Sequence, residues 1–298
     1  MRSGMMPLAD TLARLLQDGD GRAGHDEARG ALAIATVEYP RLEPGVYLAK
    51  LDAIGDQALE CVARVAGVEG PVHARVEAVN HCLYEDLGFR GNRERYADVR
   101  NSCLNQVLDR RTGIPITLAV VYIEAARRAG LGAAGINFPG HFLVRVWDGT
   151  AGDEASGLIV DPFDRGTVLT EQDCRALLAR QDDGDLPFQP ALLARASRRQ
   201  VFARMLMNLK RLYVQNRSFA HARTVTDVLL ALSPSSLQEL RDRGLLSYHL
   251  HDYAPALRDL EEYLRLLTLT DRGDEARDET TQVWDHVKSL RRRLASLN

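Results

Sequence analysis

Apolar positions recur every three to four residues through Leu8–Gln17 and through residues 26–38, 45–67 and 72–85. That spacing lays a stripe along one face of a helix, so the first part of the chain predicts four helices separated by Pro40, Pro44 and Pro71. Residues 86–99 are polar and glycine-containing and predict a long ordered loop, after which residues 101–111 resume helical spacing. Gly113-Ile114-Pro115 ends that helix, and Pro115 suits the first turn of the next, residues 116–129. This helix carries Leu118, Val121, Tyr122 and Ala125 on one side and closes at Gly130. The period then shortens to two. Residues 133–137 predict a short strand, and Phe142-Leu143-Val144-Arg145-Val146-Trp147 and Leu158-Ile159-Val160 predict the arms of a hairpin joined by the polar residues 148–157. Helices followed by antiparallel strands give an α+β class.

From residue 194 onward no strand pattern remains, and the chain aligns with itself at a shift of about 34 residues. Leu212 falls on Leu246, Phe219 on Tyr253, Ala220 on Ala254, Ala222 on Ala256 and Leu230 on Leu264. The period and the aromatic-Ala-x-Ala opening resemble tetratricopeptide-type helix pairs, in which small residues let two helices approach closely. Ala220 and Ala254 are expected at such crossings, and a last helix near residues 284–297 is expected to cap the stack. The organisation expected is residues 1–25 as an N-terminal helix and linker, 26–193 as the α+β domain and 194–298 as helical repeats.

Among the 298 residues, 38 basic side chains against 41 acidic ones leave a formal charge of -3, which gives no footprint for nucleic acid or a membrane surface. No uninterrupted apolar stretch approaches the ~20 residues of a membrane span. Met1-Arg2-Ser3-Gly4-Met5-Met6-Pro7 runs into an amphipathic segment, so a cytoplasmic location is expected. Cys61, Cys82, Cys103 and Cys174 have no C-x-x-C spacing and are expected reduced and buried. Gly19-Asp20-Gly21-Arg22-Ala23-Gly24 matches a dinucleotide fingerprint, yet it follows a helix rather than a strand and reads as a linker. No cofactor is expected. Nor is a metal: His249-Leu250-His251 sits beside a turn between repeat helices, and His73 and His81 share a helix without a carboxylate cluster.

The chemistry that stands out is His141 and Asp161, each ten positions from Ala151. If the hairpin closes at that midpoint they become cross-strand neighbours on one face, where a carboxylate fixes the imidazole tautomer and raises its basicity. They then form two-thirds of a hydrolase-type triad; the alternative is a histidine and an aspartate that cap strand ends.

Three blocks carry a family resemblance: Leu87-Gly88-Phe89-Arg90-Gly91-Asn92 with Arg100-Asn101-Ser102-Cys103-Leu104-Asn105; Arg111-Thr112-Gly113-Ile114-Pro115-Ile116-Thr117-Leu118; and Asn137-Phe138-Pro139-Gly140-His141-Phe142-Leu143-Val144 leading to Asp161-Pro162-Phe163. With the repeats, these resemble the SirB1 family from about Asp26 onward. The resemblance implies a transglutaminase-like, papain-like helix-plus-antiparallel-sheet domain with a helical N-terminal extension, followed by an all-α tetratricopeptide-type repeat domain. It also implies a cysteine nucleophile near the start of the helix that ends at Gly130, close to Pro115. No cysteine lies between Pro115 and Gly130, and Thr117 is the hydroxyl of the first turn.

The resemblance therefore points to a catalytically silent domain that works in recognition of a protein or peptide, as regulator or scaffold, with the ligand beside His141 or on the repeats. The alternative is a hydrolase or acyltransferase that uses Cys103, Thr117 or Ser102 with His141 as base and Asp161 as orienter. Binding candidates are Arg100, Asn101, Asn105, Asn137, Phe138 and Gly140. Asn101 and Asn105 are expected on one helical face, ordering the 86–99 loop or lining the cleft. Arg90, Arg93, Arg95 and Arg100 make this stretch basic, either to dock an anion or as solvated charge.

Overall fold

The computed structural model describes residues 8–17, 26–149, 156–181, 186–269 and 277–295. The glycine-containing linker at 19–24, the N-terminal residues 1–7 and the hairpin connection around Ala151 lie outside the described residues. The chain divides into two compact units, residues 1–205 and 206–298.

The first unit is α+β. Helices α1 (Leu8–Gln17), α2 (Asp26–Ala35), α3 (Pro44–Val65) and α4 (Val72–Asn80) follow the apolar stripes of the sequence. Beyond α4 the helix widens over His81–Asp86, where Leu87 N donates to the Cys82 carbonyl five residues back at 2.9 Å. Strand β1 (Arg90–Gly91) then pairs in parallel with β2 (Thr112–Gly113). Between them a tight turn over Val99–Ser102 precedes α5 (Leu104–Arg110). The helix expected from residue 101 therefore begins later, because Cys103 is extended (φ -103°, ψ 112°), and Asn101 and Asn105 do not share a helical face.

Helix α6 (Pro115–Arg128) is buried at every position from Pro115 to Ala126. Leu118, Val121, Tyr122 and Ala125 predict a one-sided stripe. The helix instead runs through the middle of the unit, with α2, α3, α4 and α5 on one side and the sheet on the other, so no face is left for water. The sheet is an antiparallel meander of β3 (Leu131–Ile136), β4 (Leu143–Asp148), β5 (Leu158–Asp161) and β6 (Thr167–Leu169). Strand β6 and helix α7 (Glu171–Gln181) extend the hairpin read from the sequence. Helix α7 had a local signal: Thr170 Oγ1 accepts from Asp173 N at 3.2 Å and Asp173 Oδ2 accepts from Thr170 N at 2.8 Å, a reciprocal N-terminal cap. Cys174 and Leu178 of α7 pack with Ile136, Phe138, Leu143 and Ile159 on the outer face of the sheet.

Helix α8 (Arg198–Gln215) crosses the division, and α9 (Phe219–Leu232), α10 (Leu237–His249), α11 (Tyr253–Leu267) and α12 (Arg277–Ala295) complete an all-helical second unit. The repeat is visible in the backbone. Ser218 N donates to the Tyr213 carbonyl at 2.8 Å and, one period later, Asp252 N to the Ser247 carbonyl at 2.9 Å. Arg217 and His251 hold the same left-handed turn position, with φ 56° and 61°. Ala220 and Ala254, however, are exposed, and the close-packed alanines are Ala222 and Ala256, both fully buried. The buried face of α9 runs Ala222, Val225, Thr226 and Leu229, and a residue two positions earlier points about 200° away from it. Helices α10 and α11 approach closely at Gly244, where a Cβ would sit 2.7 Å from the Leu260 side chain.

Candidate functional site

His141 is positioned by a turn rather than by a strand. The Phe138 carbonyl accepts from His141 N at 3.1 Å, Pro139 occupies the second position and Gly140 the third with φ 66°. Only a residue free of a Cβ adopts that angle readily, which is why Pro-Gly precedes the histidine. Across the sheet the register pairs Val144 with Val160 and Val146 with Leu158, so Leu143 and not His141 stands opposite Asp161. The hairpin thus closes one residue later than symmetry about Ala151 requires, and the imidazole reaches the carboxylate diagonally. His141 Nε2 and Asp161 Oδ2 are 2.9 Å apart, with both side chains buried.

The other carboxylate oxygen is fixed as well. Asp161 Oδ1 accepts from Phe163 N at 2.9 Å and Asp164 N at 3.3 Å, capping the short turn Pro162–Asp164. Because a carboxylate only accepts, the neutral imidazole donates through Nε2, and Nδ1 keeps the lone pair. The arrangement is that of an oriented general base. Phe163 stands edge-on to the imidazole, with centroids 6.0 Å apart, and Tyr96 stands edge-on to Phe163 at the same distance. Arg93 lies 5.0 Å above the Phe163 ring and pairs with Asp164 at 2.8 Å. Gly91 makes this possible: a Cβ there would meet the Phe163 ring at 2.6 Å and its carbonyl oxygen at 2.7 Å. Phe163 lies two residues after Asp161 and is legible beside it, but Tyr96, Arg93 and Gly91 reach the site through the fold of the 86–99 loop, and no spacing announces them.

The candidate nucleophiles Thr117, Cys103 and Ser102 are all buried. Thr117 Oγ1 donates to the Asn101 carbonyl at 2.8 Å and accepts from Ile114 N at 3.1 Å, capping α6 from a fully buried position. Cys103 has no exposure, and burial, reinforced by Glu38 and Asp98, pushes its thiol up to about 12. Ser102 Oγ is buried with no hydrogen-bond partner. Asn101 donates to the Arg95 carbonyl at 2.7 Å and accepts from Asn92 Nδ2 at 3.1 Å, which orders the loop. Arg100 is clamped on Asp98 at 2.6 Å. Asn105 is buried with Oδ1 unpartnered, in the wall of a separate cavity beside Tyr39 and Tyr47. Asn137 accepts from Arg204 Nη1 at 3.4 Å, and Phe138 is wholly buried at the start of the turn in which Gly140 is exposed and His141 is buried.

The histidines weighed as metal ligands divide between surface pairs and ring contacts. His73 and His81 lie near Glu77 and Asp86 at 3.4 and 3.5 Å, His249 stacks on Phe219 at 4.6 Å, and His251 Nδ1 lies 2.9 Å from the Tyr253 hydroxyl. Among the described residues no group of three or more His, Cys, Asp or Glu is arranged to hold a metal ion, and no helix is long and apolar enough to cross a membrane.

Comparison with known proteins places this geometry. Residues 46–207 match the model of the transglutaminase-like superfamily and residues 209–283 a tetratricopeptide repeat. A UPF0162 protein of Xylella fastidiosa is 38% identical over 83% of this chain and 86% of that protein. A UPF0162 protein of Vibrio cholerae is 29% identical over 64% of this chain and 69% of that protein. F-box only protein 21 of Homo sapiens is 34% identical over 59% of this chain, which corresponds to 28% of that protein. No solved structure matches. With an α+β unit built around a buried helix and an oriented His–Asp pair, followed by repeated helix pairs, this chain belongs to the transglutaminase-like superfamily, in the group whose members are named UPF0162 proteins.

Proposed function

We propose that the chain is a non-catalytic, SirB1-type transglutaminase-like protein that works in the cytoplasm in protein recognition, as regulator or scaffold, without a nucleic-acid or membrane partner. The observation that carries this reading is the first turn of α6. Pro115 stands near the position implied for the nucleophile, its neighbours Ile114, Ile116 and Leu118 are buried and apolar, and the one hydroxyl, Thr117, caps the helix. A general base accelerates acyl transfer only when a nucleophile lies within hydrogen-bond reach. The retained pair then serves the architecture, since His141 ties the Pro-Gly turn to Asp161 and Asp161 caps the next turn. Tetratricopeptide helices supply a recognition surface, and 59% of this chain is matched within a much longer protein named for an F-box, which supports a modular binding role.

The test compares wild type and His141→Ala for amine incorporation into glutamine peptides, peptide hydrolysis and labelling of Cys103 by a thiol probe. No turnover and unlabelled Cys103 are expected in both. Turnover, or Cys103 labelling, that disappears in His141→Ala would replace this reading with a Cys103, His141 and Asp161 triad. Affinity capture on the intact chain, with each captured protein re-measured in solution, is expected to yield a saturable partner.

A further inference from the structure

Two of the four cysteines face each other. Cys61 comes from the buried side of α3 and Cys82 from the widened turn after α4, and both side chains line one small cavity. They form the floor of a cavity of about 300 Å³ whose rim is Gln57, Glu60, Arg64 and Asp86, all exposed. Cys61 retains 7% exposure against 1% for Cys82, and two charged groups address it: its Sγ lies 3.7 Å from Asp86 Oδ2, to which it donates, and 3.6 Å from Arg64 Nη2. Burial and the neighbouring Cys61 push the Cys82 thiol up to about 12. Wide helical turns of this kind are rare and cluster at functional sites. This one also carries Tyr84, whose hydroxyl donates to the Pro162 carbonyl at 3.0 Å, next to Asp161.

We propose that Cys61 and Cys82 are a reversible thiol–disulfide exchange site that is oxidised by low-molecular-weight disulfides. Cys61 attacks first, because it is the thiol open to the cavity, with 7% exposure against 1% for Cys82. Its proton passes to Asp86, its sulfur bonds to one sulfur of the incoming disulfide, and the other sulfur leaves as a thiolate that takes up that proton. Cys82 then attacks the Cys61 sulfur, and the second small thiolate departs with the Cys82 proton. Two protein thiols and one small disulfide thus become one protein disulfide and two small thiols. Bonded sulfurs sit about 2 Å apart, far closer than two thiols in contact, so closure draws the wide turn toward α3 and shifts Tyr84 against Pro162. The oxidation state of the pair is thereby read at the loop that holds Asp161.

The experiment takes the reduced full-length protein, treats it with glutathione disulfide, alkylates it under native and then denaturing conditions, and maps the peptides by mass spectrometry. A Cys61–Cys82 cross-link, about 2 Da lighter than the reduced pair, is expected, with Cys103 and Cys174 recovered as free thiols after denaturation. Cys82→Ser is expected to stop at a stable glutathione adduct on Cys61, and a reducing thiol is expected to restore wild type. A persistent adduct on Cys61 in wild type, or both thiols free after treatment, overturns the proposal. The wild-type measurement requires no variant to fold, and its outcome does not depend on the recognition reading above.

Discussion

The two units pair their charged groups by different routes. In the first, partners come from distant parts of the chain: Arg127 meets Glu27 across 100 residues, Arg75 reaches Asp148 across 73, and His141 reaches Asp161 around a hairpin. In the second, they come from half a repeat to one repeat away: Arg243 bonds Asp259 at a separation of 16. Lys210 bonds Glu239 at a separation of 29, Arg223 bonds Asp252 at 29 and Arg291 bonds Glu261 at 30. Each repeat needs only its neighbour, so one period, once recognised, specifies the contacts. The first unit must close long loops before its buried charges find their partners, and a single lost partner there leaves an uncompensated polar group.

That contrast predicts its largest effect at the His–Asp pair. Asp161→Ala strands a buried imidazole and uncaps two backbone N–H groups, and is expected to lower unfolding free energy by about 3–5 kcal/mol in urea titration. Asp161→Asn, which keeps an acceptor for the Phe163 and Asp164 amides, is expected to lose less. Equal losses would mean that the charge, not the geometry, holds the turn.

In the repeats the sensitive point is steric. Gly244→Leu would drive side-chain atoms into Leu260, which a Cβ alone already approaches at 2.7 Å, for a loss of roughly 1–3 kcal/mol by thermal unfolding. One period earlier the matching residue is Lys210, whose amine reaches Glu239 and Asp242. The first pair is thus already built around a long side chain, and a comparable loss in Lys210→Leu would come from the stranded carboxylates rather than from overpacking.

A smaller effect carries a pH signature. Burial raises the Glu27 carboxyl, but the Arg127 hydrogen bond and charge outweigh it and leave the group below its usual value of 4.5. A depressed carboxylate contributes stability above its unfolded pKa, and that contribution disappears as pH falls below 4.5 through the folded value. Glu27→Gln is expected to cost about 1.5 kcal/mol at neutral pH and to flatten the acid limb of a stability profile. The smallest change is expected for Ala254→Leu, within about 0.5 kcal/mol because Ala254 is exposed, whereas Ala256→Leu is expected to overpack by roughly 1–3 kcal/mol.

The sequence by itself determined the helices with clean stripes, the repeat period and the hairpin strands, because these depend on neighbours within a turn, a strand or one repeat. The aromatic-Ala-x-Ala opening pointed to Ala220 and Ala254 as the close-packed residues, and the 3.6-residue turn placed Ala222 and Ala256 there instead. Only the tertiary structure decided that α6 is buried from Pro115 to Ala126, that the hairpin register sets Leu143 opposite Asp161, and that Cys61 and Cys82 line one cavity. Those outcomes depend on which distant segments pack together, and a burial pattern or cysteine spacing along one chain carries no record of the partner that closes over it.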